Sequence, residues 1–275
     1  MKQGYHALFW ICLAYIAVFS LTSLSRHVWL TVVIELAALV LALVVSRRLL
    51  PCRAAEADYD LGFSPRPCLA SLPFLPFFIG GVVGVSCLTA FICRQFNIDT
   101  SFDYDDNFGV CLLTTALVPA VTEEIFCRYL FLRYLLPHSR LGAVLASAVF
   151  FSLLHGNFYQ IPYALLAGVF LGALAAATGS VLPGILFHLV NNVASAALFF
   201  FGGTVLPRVL LWVLIGSLVL GAVGIAVTAR RLFPRLRVAL SPAGCGRVVG
   251  GLFTSPLVLF LLLFIGEAVI VLCTK

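Results

Sequence analysis

Stretches of about 18 or more apolar residues recur along this chain, each long enough to carry an α-helix across a hydrocarbon core of roughly 30 Å. No other feature restricts the fold as strongly. In lipid every backbone N–H and C=O needs an internal partner, and a helix supplies one within a single segment. Such spans read at about 6–25, 28–45, 73–93, 108–132, 143–158, 161–178, 181–201, 207–229 and 251–272. Composition agrees: 62% of the residues are hydrophobic and 10% charged, against roughly 25% charged in soluble domains. A water-soluble core cannot hide so much apolar surface. The expected fold is all-α, a polytopic transmembrane helix bundle of about eight to nine spans, forming a single membrane domain over residues 1–275. The first span lacks a small-residue cleavage site and reads as a retained helix rather than a signal peptide.

Lys and Arg orient the bundle. With the N-terminus in the cytoplasm, Lys2, Arg47, Arg48, Arg53, Arg66, Arg133, Arg140, Arg230, Arg231, Arg235, Arg237 and Arg247 fall inside, and Arg26, Arg94, Arg208 and Lys275 fall outside. The net charge of +6 is thus mostly cytoplasmic-loop arginine. No interleaved basic and aromatic surface points to nucleic acid. The segments 46–72 and 230–250 are polar or basic and contain proline, and both read as cytoplasmic connections. The nine cysteines form no C-x-x-C pair, and those inside apolar spans, such as Cys12, Cys87, Cys93 and Cys111, read as small hydrophobes.

Against this background, ionisable groups inside the spans stand out, because charge in a bilayer is costly and marks a functional candidate. Glu124 and Arg128 lie four residues apart on one helix face and can pair. Glu123 is rotated about 100° from Glu124. Phe151 and His155 share a face of the next span, and His188 and Asn192 share a face of the seventh. Counted at about 1.5 Å per residue from the expected cytoplasmic ends, Glu123 and His155 lie roughly 18 Å deep, Asn192 roughly 16 Å and His188 roughly 10 Å. Taken singly, each has a structural reading: a hydrogen-bonded core histidine, an interhelical amide, a packing ion pair. Their conjunction at similar depth favours a site. Glu35 and Glu267 lie in other spans without such company and read as structural or interfacial. Cys127 beside the glutamates suggests a thiolate nucleophile, and Ser147 and Ser152 a serine hydrolase, but neither a G-x-S-x-G elbow nor H-E-x-x-H is present.

Two carboxylates, two imidazoles and an amide suit the addition of water to a carbonyl. A carboxylate shielded from water is a stronger general base, a neighbouring histidine can hold the water, and His188 with Asn192 can donate to the oxyanion that forms. A variant of the same chemistry has Glu and His residues binding Zn²⁺, which then activates the water.

The pattern resembles the CAAX proteases and bacteriocin-processing enzymes, the CPBP or Abi family of intramembrane endopeptidases. The E-E-x-x-x-R motif stands as Glu123, Glu124 and Arg128, F-x-x-x-H as Phe151 and His155, and H-x-x-x-N as His188 and Asn192, with Pro119 shortly before the paired glutamates. The resemblance covers about Phe108 to Phe201, giving a catalytic core at 108–201. It implies proteolysis within or beside the bilayer of a membrane-associated or lipidated protein or peptide. It also implies Glu123 as catalytic base, His155 as its partner, His188 and Asn192 as oxyanion stabilisers, and Glu124, Arg128 and Phe151 in support. No cofactor is required on this reading, and zinc stays open. The compact loops suggest a bacterial cell membrane. A catalytically silent scaffold or immunity protein, and a proton-coupled transporter with a carboxylate relay, remain as other readings.

Overall fold

The computed structural model describes residues 2–24, 27–49, 61–98, 100, 105–156 and 158–253. The described chain is helical throughout, with one isolated bridge, Gly62 to Ser180, and no strands. We number the helices α1 (Lys2–Phe19), α2 (Val28–Leu49), α3 (Arg66–Gln95), α4 (Phe108–Leu135), α5 (Arg140–Leu153), α6 (Ile161–Thr178), α7 (Leu182–Phe201), α8 (Leu206–Ala239) and α9 (Cys245–Phe253). Among the described residues six are long and apolar enough to cross a membrane: α2, α3, α4, α6, α7 and the first part of α8, Leu206–Val227. The protein is therefore a polytopic helical bundle. Two of the nine expected spans appear as shorter apolar helices, His6–Thr22 and Arg140–Leu153, and the one at 251–272 lies almost wholly outside the described residues.

Three boundaries differ from the sequence reading. Helix α3 begins at Arg66 rather than near 73, since Pro67 occupies a first-turn position where its missing N–H costs nothing. Helix α8 continues through Pro234 to Ala239, so much of the expected basic connection is helical. Helix α5 has 14 residues, about 21 Å at helical rise, and stops at Leu153. Gly156, at φ +56°, turns the chain there.

Each helix shows the lipid one face and the bundle another. On α2 the buried positions Glu35, Ala38, Leu39, Ala42 and Ser46 form one stripe, while Trp29, Val33, Val40 and Val44 are exposed. Small residues set the closest approach. A Cβ on Gly168 of α6 would stand 2.8 Å from the Ala148 Cα of α5, and a branched side chain there forces the two backbones apart. Gly168→Val is expected to lower stability by about 1–3 kcal/mol, read as an earlier midpoint in thermal unfolding of the detergent-solubilised protein. An unchanged midpoint would show that the α5–α6 contact is soft.

Candidate active site

The site is built from α4, α5 and α7. Helix α4 starts at an Asn107 cap whose Oδ1 accepts from the Gly109 and Val110 N–H groups at 2.9 and 3.1 Å. It then departs twice from α geometry, with π-helical segments at Leu112–Leu117 and Ile125–Leu132. Pro119 accounts for part of the first departure, because it has no N–H to return to the Thr115 carbonyl four residues back. The Val118 N–H reaches Leu113 instead, and the Thr115 carbonyl accepts from Asn192 Nδ2 of α7 at 3.0 Å. Widened turns of this kind recur at functional sites because they re-aim the side chains that follow.

Between the two π segments lie the paired glutamates. Glu124 and Arg128 are wholly buried, with Arg128 Nε 3.2 Å from Glu124 Oε2. The other oxygen, Oε1, is 3.3 Å from His188 Nδ1. These are charge contacts rather than aligned hydrogen bonds. Gly184, one turn before His188, makes room for the carboxylate, since a Cβ there would stand 2.9 Å from Glu124 Oε2. Arg128 Nη1 also reaches Ser147 Oγ at 3.4 Å, and Ser147 donates to the Cys127 carbonyl at 2.9 Å.

Phe151 sits at the centre. The Arg128 guanidinium lies 4.8 Å from its ring centroid. The His155 and His188 rings meet it edge-on at 5.0 and 5.5 Å. His155 lies in the turn after α5 rather than on the expected helix face, and its Nδ1 is 2.9 Å from the Phe151 carbonyl. A carbonyl only accepts, so Nδ1 carries the proton and the ring's other nitrogen, Nε2, faces away from that bond.

The structure thus brings Glu124, Arg128, Phe151, His155 and His188 together around one ring. Asn192 joins through the α4 backbone, with Oδ1 accepting from Asn191 Nδ2 at 3.2 Å. Glu123 is half-buried, makes no hydrogen bond to His155, His188 or Asn192, and keeps a buried Oε2 without a partner. Its electrostatic neighbours are Tyr15 of α1, Glu35 of α2 and Cys127. The carboxylate–imidazole contact of the described residues is Glu124 with His188. Sequence reading missed Gly184 and the Thr115 carbonyl, although each carries a local signal: a glycine one turn before a membrane histidine, and a proline four residues after a threonine.

Among the described residues no three of His, Cys, Asp and Glu converge as a metal-holding group. Glu124 is held by Arg128, a poor neighbour for a cation. As arranged, the described residues do not form a zinc site.

Residues 106–194 match the family described as type II CAAX prenyl endopeptidase Rce1-like. Every site residue named above from Glu123 to Asn192 falls within that segment. No curated protein and no solved structure matches the chain. With three motifs in order on a multi-pass helical bundle, this match over residues 106–194 is consistent with a CPBP-family intramembrane protease.

Proposed function

We propose that this protein hydrolyses a peptide bond in a membrane-associated or lipidated protein or peptide, using water activated by Glu123 and no metal. The observation that carries this reading is the division of labour between adjacent glutamates. Both oxygens of Glu124 are engaged, one by Arg128 and one by His188, which suits a fixed charge. Glu123 keeps an unpartnered buried oxygen, which suits a base.

In the proposed cycle the water donates its proton to Glu123 while its oxygen attacks the carbonyl carbon, with His155 Nε2 orienting it. His188, held at Nδ1 by Glu124, offers its other ring nitrogen to the developing oxyanion together with the second N–H of Asn192. Glu123 passes its proton to the leaving amine as the C–N bond breaks. Residues 108–201 form the catalytic core of a single membrane domain. The loop arginines support a cytoplasmic N-terminus, and the compact loops a bacterial cell membrane.

The test is turnover of membrane-anchored and prenylated peptides by the protein in liposomes. Glu123→Gln is expected to reduce turnover at least about 100-fold, and chelators to leave it unchanged. Full turnover in Glu123→Gln would remove the base. Loss of turnover with chelator, restored by zinc, would replace it with a metal. A biological effect that survives both Glu123→Gln and His155→Ala would favour the silent scaffold.

A further inference from the structure

The amide of Asn192 is held at both ends. Its Nδ2 donates to the Thr115 carbonyl of α4 at 3.0 Å, and its Oδ1 accepts from Asn191 Nδ2 at 3.2 Å. An amide nitrogen carries two N–H groups and a backbone carbonyl only accepts. These two bonds therefore fix which end of the side chain is nitrogen and leave one N–H of Nδ2 uncommitted. His188, four residues earlier on the same face of α7, is also tied at one nitrogen to α4, with Nδ1 3.3 Å from Glu124 Oε1. Asn191 and Thr115 belong to none of the three motifs.

Thr115 can make this bond because of Pro119. In a regular helix the Thr115 carbonyl accepts from the N–H four residues on, and proline has none there. The Val118 N–H, three residues on, is drawn back to the Leu113 carbonyl by the widened turn. The Thr115 hydroxyl is itself turned back to the Cys111 carbonyl at 2.8 Å, so what Thr115 offers α7 is its backbone. A proline inside a helix is destabilising, and here the carbonyl it vacates anchors a side chain 77 residues further along the chain. An interhelical tie needs only that bond. The second bond, from Asn191, adds nothing to the joining of α4 and α7, and instead fixes the plane of the Asn192 amide.

We propose that Pro119 and Asn191 are positioning residues for the oxyanion donor: Pro119 frees the Thr115 carbonyl, that carbonyl and Asn191 clamp the Asn192 amide, and the remaining N–H is held ready for the oxygen of the carbonyl under attack. This rests on the reading of Asn192 as an oxyanion donor. Preorganisation of that donor is what the clamp contributes, because a donor already in place needs no reorganisation when charge develops.

The test measures kcat and KM of the full chain in liposomes on a membrane-anchored prenylated peptide, beside thermal unfolding in detergent. Pro119→Ala restores an N–H that competes for the Thr115 carbonyl. Its midpoint is expected at or above that of wild type, since an interior proline is gone, while kcat falls on the order of 10-fold or more. KM should change little, because the oxyanion exists only in the transition state. Asn191→Leu, which keeps the volume and loses the donor, should show the same split, and Asn191→Gln, which retains an amide N–H, should recover most of the loss. Asn192→Ala bounds these effects at about 10²–10³-fold. Without substrate, the Asn192 side-chain N–H signals in ¹⁵N spectra should move in Pro119→Ala. Unmoved signals, an undiminished kcat in Pro119→Ala or Asn191→Leu, or a loss confined to KM overturns the clamp. So does a Pro119→Ala midpoint well below wild type, since the proline then serves packing. Any of these beside a large loss in Asn192→Ala leaves the oxyanion donor standing, whereas full turnover in Asn192→Ala removes donor and clamp together.

Discussion

Arg128→Met is expected to destabilise the protein by about 3–5 kcal/mol, the usual cost of stripping one partner from a wholly buried ion pair. Glu124 would keep its charge with only His188 to oppose it at 3.3 Å. Methionine conserves much of the volume, so the loss reports charge rather than a cavity. A second variant makes the cause visible. The double variant Glu124→Gln/Arg128→Met should recover much of the stability, because no uncompensated charge remains. Thermal unfolding in detergent measures both. An Arg128→Met midpoint equal to that of wild type would mean that the pair is not the anchor of the bundle. Turnover should fall in the single variant, since His188 then faces a carboxylate freed from its fixed position.

Phe151→Ala carries the second large effect, about 3–5 kcal/mol for emptying the space of a buried aromatic ring. Phe151 is 2% exposed and touches Arg128, His155 and His188 with one ring. Its loss therefore unseats both imidazoles as well as the packing. Phe151→Leu separates the two roles. Leucine restores much of the volume and should cost less than about 1.5 kcal/mol, yet it offers no aromatic face to the guanidinium or the histidines. Turnover in Phe151→Leu is expected to stay depressed, on the order of 10²-fold below wild type, while the midpoint largely recovers. Full turnover in that variant would show that the ring only fills space.

Much of this molecule is legible without coordinates. Apolar run length follows from bilayer thickness, a one-dimensional property, and the spans 161–178 and 181–201 reappear as α6 and α7 within a residue. The motif residues could be singled out because charge in lipid is rare enough to need a reason. Where backbone geometry leaves the regular α-helix, that legibility ends. The turn at Gly156 moves His155 off the end of α5, which uniform rise along an extrapolated span does not register. The π segments of α4 change the angular bookkeeping on both sides of the glutamates.

By itself the sequence determined a helical membrane bundle with a motif set resembling that of CAAX-type proteases, and it established that Glu123 and Glu124 face different ways, since neighbours on a helix differ by about 100°. Only the tertiary structure decided which way each faces. Glu124 turns to Arg128 and His188, and Glu123 keeps an unpartnered buried oxygen. That choice depends on how α1, α2 and α7 are rotated and packed against α4. Helix rotation is set by close packing across helices such as Gly184 against Glu124, a property of pairs distant in the chain that no local spacing encodes.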